Sequence, residues 1–137
     1  MSMNTSPVFG LTPHVGWGTT ALATANTAKD GTGTQIGVFT AAANGSFVQR
    51  IRFRSAGTNI ATVARVFINN GSSAATPANN ILFDEITLAA TTISEVAALS
   101  TYELPLNFAL PASYIINVTV GTTVAAGYYV SVVGSDY

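Results

Sequence analysis

Residues 34–54 read TQIGVFTAAANGSFVQRIRFR, and this stretch decides the fold class. Two runs that are rich in β-branched and aromatic residues, 34–43 and 46–54, flank the pair Asn44-Gly45. Because Asn and Gly both tolerate a positive φ, such a pair between two β-type runs is a strong signal for a hairpin turn. The stretch therefore predicts two antiparallel strands joined by a tight turn.

The rest of the chain repeats this pattern of short β-type runs bounded by turn residues. Further strands are predicted for residues 20–27, 61–69, 80–89, 104–110, 114–120 and 124–133. A spacing of roughly 8–12 residues is typical of a β-sandwich or jelly roll. We therefore predict one all-β domain over residues 20–137, a single antiparallel, jelly-roll-like β-sandwich of about eight strands.

One segment of this domain, 92–103, allows two interpretations. Thr92 and Glu95 have the spacing of a capping box, which favours one helical turn. The β-branched residues around them favour an extended or irregular segment instead, and this is the interpretation we prefer.

The first 19 residues are expected to form an extended N-terminal arm outside the sandwich. Prolines and glycines should interrupt any regular element there, at Pro7, Gly10, Pro13, Gly16 and Gly18. The arm also carries apolar side chains that are candidates for an interface, namely Phe9, Leu11, Val15 and Trp17. The sequence leaves open whether they dock on their own domain or on a neighbouring molecule.

The composition indicates a chain that is covered by partners. Charged residues make up only 8% of it, against about 25% in a typical globular domain. Hydrophobic residues make up 48%, and the mean hydropathy is +0.41. Since a monomer in solution usually carries more charge, we expect much of this surface to be buried in an assembly. The net charge of −1 would not attract nucleic acid, so no nucleic-acid partner is expected.

The sequence also argues against membranes and disulfides. No apolar run reaches the roughly 18–20 residues of a membrane span, so no membrane partner is expected. The N-terminus lacks the basic region and apolar stretch of a signal peptide, and the chain is expected to be soluble and not exported by that route. Cysteine is absent, so neither a disulfide nor a catalytic thiol is available.

A basic row is predicted on the second strand of the opening stretch. Because side chains alternate between the faces of a strand, Arg50, Arg52 and Arg54 share one face, opposite Ile51 and Phe53. Three of the five basic residues of the chain thus lie in one row. The row either pairs with acids of the same chain or meets carboxylates of a partner, where the guanidinium fork favours bidentate pairing. The intramolecular candidates are Asp84, Glu85, Glu95 and Glu103.

The sequence contains no clear constellation for catalysis. Its single histidine, His14, lies in the arm, which is a poor place to hold it beside a serine nucleophile. Asp84 and Glu85 point to opposite faces of their strand, and no zinc-type cluster is evident. We therefore predict neither an enzyme nor a bound cofactor. A weak calcium site from Asp30, Asp84 and Asp136 stays open.

Several stretches resemble small virion-associated proteins of tailed bacteriophages and prophages. The resemblance rests on 11–18 (LTPHVGWG), 25–34 (ANTAKDGTGT), 38–46 (VFTAAANGS), 65–71 (RVFINNG), 110–114 (LPASY) and 134–137 (GSDY). It spans nearly the whole chain. Its motifs consist of turn residues and short β-type runs, which identify a fold family better than an activity.

This resemblance implies a capsid decoration, or cement, protein that binds the outside of the capsid and stabilises it. The implied partners are the major capsid protein and further copies of the chain itself, commonly as a homotrimer. The implied location is the capsid surface of the virion, after synthesis in the bacterial cytoplasm. The resemblance offers no catalytic residues to carry over.

Two other functions stay open on the sequence alone. One is a tail, neck or fibre component of the same kind of virion. The other is a carbohydrate-binding module for host attachment, for which Trp17, Tyr128, Tyr129 and Tyr137 are the candidate stacking residues.

Overall fold

The computed structural model describes residues 9–137, which fold into strands and connecting segments. The strands are β1 Thr12–Trp17, β2 Ile36–Thr40, β3 Ser46–Ser55, β4 Thr62–Asn69, β5 Asn80–Leu88, β6 Thr101–Leu110, β7 Ile115–Val120 and β8 Tyr128–Asp136. A short 3-10 turn, Pro77–Asn79, precedes β5. No helix among the described residues is long and apolar enough to cross a bilayer. The all-β prediction is confirmed.

The strands form two four-stranded antiparallel sheets, as in a β-sandwich. The first sheet has the order β1-β8-β3-β6, and the second has the order β2-β7-β4-β5. The pairing is nested along the chain, because β4 pairs with β5, β3 with β6, β2 with β7 and β1 with β8. The outermost pair joins residues near the two ends of the described chain.

The core lies between the sheets and follows the predicted alternation. On β3, Ile51 and Phe53 are fully buried, whereas Arg52 and Arg54 are exposed on the opposite face. On β8, Tyr128, Val130 and Val132 are buried in the same way. Each central strand of the first sheet therefore has one face toward the core and one face toward the outside.

The hairpin predicted at Asn44-Gly45 is wrong. A turn does form there, with Gly45 at a φ of +85° and its N–H donating to the carbonyl of Ala42 at 2.9 Å. However, β2 belongs to the second sheet and β3 to the first, so the connection passes from one sheet to the other instead of joining two paired strands. A turn preference acts on the local backbone alone, whereas β3 is held by ladders to both β6 and β8.

The strand predicted for residues 20–27 is also absent. Only isolated bridges occur, between Leu22 and Tyr128 and between Ala25 and Val120. The segment is the first part of a long connection between β1 and β2. This connection satisfies its backbone through single hydrogen bonds, such as the one from the Asn26 N–H to Val120.

A strand within the N-terminal arm was not predicted. The expectation that proline and glycine interrupt every regular element there is wrong for Thr12–Trp17, which pairs with β8 as an edge strand. Pro13 is tolerated because an edge strand has one side without ladder partners. Gly16 permits a close approach, since a Cβ at this position would lie 2.2 Å from the carbonyl oxygen of Val38. Residues 1–8 of the predicted arm, including Pro7, lie outside the described residues.

Two strand boundaries differ from the prediction near the ambiguous segment and at the end of the chain. Residues 92–100 contain no helix, as preferred, and β6 begins at Thr101, earlier than expected. β8 begins at Tyr128, later than expected, because the N–H of Val124 bonds to Ala23 across the loop and Gly127 turns the chain with a φ of +79°.

Candidate protein interface on the first sheet

The outer face of the first sheet gathers the residues that sequence analysis selected. Residues directly opposite one another in antiparallel strands point to the same side of a sheet. Successive rows across β1, β8 and β3 are Trp17–Ser131–Arg52 and Val15–Val133–Arg50, and Tyr129 lies opposite Arg54. Val15 and Trp17 therefore lie on the same face as the arginines of β3, separated from them by a single strand.

The β1 side of this face is apolar. Val15 and Trp17 on β1 are 52% and 65% exposed, and Phe9 and Leu11, just before β1, are 70% and 79% exposed. We call these four residues the apolar row. Leu11 is anchored just before β1 by a hydrogen bond of 2.7 Å from its N–H to the carbonyl of Asp136. Tryptophan is usually well buried in a folded domain. The exposure of the only tryptophan in the chain therefore marks this face as unusual.

The β3 side of the face is basic, and we call Arg50, Arg52 and Arg54 the Arg row. The Nε of Arg52 donates to Oε1 of Glu103 at 2.6 Å, while the Nε of Arg50 lies 3.9 Å from the same oxygen. Arg54 donates to neutral oxygens, those of Leu99 at 3.0 Å and Thr101 at 2.7 Å. Internal pairing therefore exists, but the Glu103 carboxylate bonds to Arg52, lies 3.9 Å from Arg50 and is not paired with Arg54.

The other acids considered as partners of the Arg row lie elsewhere. Glu85 accepts a hydrogen bond from Arg65 at 3.1 Å on the second sheet. Asp84 accepts one from the backbone N–H of its neighbour Glu85. Glu95 lies in the irregular segment between β5 and β6.

Between the apolar row and the Arg row, β8 presents smaller side chains. Ser131 and Val133 form the floor, and Tyr129 closes one end with a side chain that is 61% exposed. At the other end Gly10 lies on Ser135, where a Cβ at Gly10 would come within 1.9 Å of the serine Oγ. Since neighbouring strands are about 4.8 Å apart, this strip of smaller side chains lies between two strands that are about 10 Å apart. We call it the β8 depression.

The outer face of the second sheet is different, because the connection between β1 and β2 lies over it. The amide of Asn80 donates to the carbonyl of Asp30 at 3.1 Å, which fixes this connection across the sheet. Phe67 and Thr119 are fully buried there, although they alternate with core residues and point away from the core. Of the two outer faces, only the first sheet leaves large apolar side chains and arginines exposed together.

A groove of about 390 Å³ lies beside this connection and is a weaker candidate site. It is lined by Thr62, Val63, Arg65, Thr87, Gly121 and Thr122. Its arginine is largely buried and already engages Glu85 at 3.1 Å and the carbonyl of Asn26 at 3.4 Å. The charge in this groove is therefore used within the chain.

Sequence analysis missed a polar cluster under β1. Nδ1 of His14 lies 2.8 Å from Oδ1 of Asp136, and the imidazole stacks on Phe39 with ring centroids 4.1 Å apart. The buried Ser46 hydroxyl donates to the same carboxylate oxygen at 2.5 Å. These two bonds, above all the one from Ser46, hold the pKa of Asp136 below its usual range. No local signal links residues that are 122 positions apart in the chain.

The cluster contains the three residue types of a catalytic triad in an unsuitable order. A triad places histidine between serine and the acid, so that the imidazole takes the serine proton. Here Asp136 lies between Ser46 and His14, and the serine is bonded to the acid. The arrangement orients three strands and does not activate a nucleophile.

The residues of the calcium alternative do not converge. Asp30 bonds to the Thr32 hydroxyl at 2.6 Å, while Asp136 bonds to Ser46 and His14. Across residues 9–137, no group of three His, Asp or Glu side chains is placed to hold a metal ion.

Comparisons with known proteins yielded no match, whether with protein-family models, with curated proteins or with solved structures. The β8 depression and the rows beside it are therefore interpreted from their own chemistry.

Proposed function

We propose that the protein is a capsid decoration protein of a tailed bacteriophage or prophage, which binds the outer capsid surface and bridges its subunits. The observation that carries this proposal is the open outer face of the first sheet. Trp, Tyr and Arg contribute most to the affinity of protein interfaces. This face exposes Trp17, Tyr129 and Arg52 within neighbouring rows.

We also assign the sandwich to the jelly-roll topology. The orders β1-β8-β3-β6 and β2-β7-β4-β5 support this assignment, since a jelly roll wraps nested antiparallel pairs into two sheets. Jelly rolls occur in viral capsid proteins and in lectins. The topology therefore supports a virion role by analogy of fold alone.

The edges of the sheets favour binding through a face. Pro13 on β1 and Pro105 on β6 lie on the two edge strands of the first sheet, and Asn107 bends β6 with a φ of +51°. Prolines and bends at an edge discourage the addition of further strands. In the proposal, copies of the chain associate as trimers over capsid junctions and contact the major capsid protein, without catalytic activity.

The experiment that tests the proposed function is cryo-electron microscopy of purified virions. Density for this sandwich repeated over the icosahedral shell is the expected result. Density confined to the tail, neck or fibres would replace the proposal by a tail component. Absence from the particle would contradict any virion role.

Exposure of Trp17 and Tyr129 on one face also favours a second candidate, a carbohydrate-binding module. Aromatic rings that stand out from a surface stack on the apolar faces of sugars, and the arginines nearby offer hydrogen-bond donors. A glycan array separates the two functions. Binding of a host oligosaccharide that is lost in Trp17→Ala would support the module, and no glycan binding would leave the capsid proposal as it stands.

A further inference from the structure

We propose that the β8 depression binds an extended, carboxylate-bearing segment of the partner protein. The apolar row would contact the hydrophobic side chains of this segment, and the Arg row would bind its carboxylates. This inference deepens the proposed function and takes only the identity of the partner, a capsid protein, from it.

Positive and negative charges are separated on the surface of the molecule. Arg50, Arg52 and Arg54 share their face with Glu103, so the face has a surplus of positive charge. The whole chain nevertheless carries a net charge of −1, which means that the remaining surface is negative. A partner segment that brings carboxylates is complementary to this face and is repelled by the others.

The Arg row is only partly paired with carboxylates of its own chain. Glu103 already shows how a carboxylate sits beside Arg52, in contact with both Nε and Nη2. Within the described residues, the Arg50 side chain makes no hydrogen bond, since its Nε is 3.9 Å from the Glu103 oxygen. Side chains of Arg50 and Arg52 are 43% and 48% exposed, so a second carboxylate has access to both. Charge-assisted pairs of this type are favoured when they are bidentate.

The β8 depression is apolar on one side and basic on the other. Its floor of Ser131 and Val133 lies between Trp17 on one side and Arg52 on the other. An extended segment placed over β8 directs alternate side chains to opposite sides. The bound segment is therefore expected to alternate between apolar residues, facing β1, and acidic residues, facing β3.

Selection from a random library of displayed peptides of about twelve residues tests this inference. The expected outcome is enrichment of sequences in which acidic and apolar residues alternate. Because Trp17 is the only tryptophan, its fluorescence reports binding of the selected peptide directly. Replacing the acidic residues of that peptide by their amides is expected to weaken binding by about tenfold or more.

Variants then locate the binding. Trp17→Ala and the double variant R50Q/R52Q are each expected to weaken binding by about tenfold or more, measured by calorimetry. Matched controls are Lys29→Gln, which removes a positive charge elsewhere, and Val96→Ala, which removes an apolar side chain that is 96% exposed. Both controls are expected to bind like the unmodified protein.

Several results would overturn the inference. Selected peptides without acidic residues would do so, as would binding that both sets of variants leave unchanged. An oligosaccharide that binds at Trp17, with no peptide selected, would favour the carbohydrate module. These results are distinct from those on the proposed function. Peptide binding with density on the tail would contradict only the capsid location, whereas capsid density with this face turned to solvent would contradict only the docking inference.

Discussion

At the scale of single residues, Asp136 connects three strands of the first sheet. Its carboxylate accepts a hydrogen bond from the hydroxyl of Ser46 on β3 and lies beside His14 on β1, while its own backbone belongs to β8. These bonds stabilise the ionised form and lower its pKa. A group whose pKa is lower in the folded state than in the unfolded state adds stability above the unfolded value, and this stability is lost as the pH falls through the folded value.

Asp136→Asn is therefore expected to lower the free energy of unfolding at about pH 7 by about 1–2 kcal/mol. The difference between variant and unmodified protein should shrink below about pH 4, because protonation removes the same charge from the unmodified protein. Urea denaturation across this pH range measures it. A difference that is constant with pH would show that the carboxylate charge is not involved. The control is Glu95→Gln, at an exposed position between β5 and β6, which should change stability less.

Asn59 connects two loops in a similar way, and only 3% of its surface is exposed. Its side chain donates to Ser55 Oγ and to the carbonyl of Gly127, both at 3.0 Å. Its Oδ1 accepts from the backbone N–H groups of Ala126 at 2.8 Å and Gly127 at 2.9 Å. One amide thereby satisfies two loops that join different strands.

Asn59→Ala is expected to lower the free energy of unfolding by about 3 kcal/mol, since the N–H groups of Ala126 and Gly127 lose their acceptor. Chemical denaturation followed by circular dichroism measures this loss. The matched control is Asn70→Ala, at an exposed loop position, for which a change below about 1 kcal/mol is expected. Equal effects of the two substitutions would contradict the bridging role.

At the scale of elements, β1 forms one side of the outer face of the first sheet, which we call the docking face. It presents Val15 and Trp17 outward, and its inner side closes the sandwich over β2 through the stacking of His14 on Phe39. Gly16 allows this approach, because a side chain there would meet the backbone of Val38. Loss of β1 would remove one whole side of the β8 depression.

Gly16→Ala is expected to loosen β1 selectively and to cost about 1–3 kcal/mol. Hydrogen exchange at the amides of His14 and Gly18, which pair with β8, should become faster, while amides of β4 keep their protection. Thr12→Ala, on the same strand but exposed, is the control and should leave exchange unchanged. Uniform acceleration across both sheets would instead indicate global destabilisation.

At the scale of the whole molecule, the nested pairing leaves four strand edges, and each has a feature that opposes extension. β1 and β6 carry Pro13 and Pro105, β2 is only five residues long, and β5 pairs with an irregular register opposite β4. Features of this kind keep sheets from joining edge to edge. These edges therefore disfavour open-ended association of sheets and leave the outer face of the first sheet as the surface for contacts.

The double variant P13T/P105T is expected to associate more readily, since it restores an N–H donor and a flexible φ to both edges of the first sheet. Light scattering and thioflavin fluorescence at equal protein concentration measure the change. Pro111→Thr, in a connection between β6 and β7, is the control and should stay dispersed. A double variant that stays equally dispersed would show that proline is not what protects these edges.

Much of the strand pattern was predictable, because alternation is a local property. Residues 46–54 were assigned to a strand with Ile51 and Phe53 inward and the arginines outward, as observed. β1 was missed because glycine and proline lower the propensity of Thr12–Trp17, and pairing with β8 outweighs that propensity. The members of the docking face were selected from sequence by residue type, but nothing local indicated that they share one face.

The sequence by itself determined the all-β class, the faces of residues 50–54 of β3, and the low charge of the surface; before Arg50 a β-bulge reverses the predicted alternation, so that Val48 is buried and Gln49 is exposed. Only the tertiary structure decided that β2 and β3 enter different sheets, that Val15 lies in a row with Arg50, and that His14 reaches Asp136. The reason is that ladder hydrogen bonds join backbone groups that are the same in every residue type. Partner strands are therefore chosen by the burial that the complete pair of sheets achieves, and that choice links residues far apart in the chain.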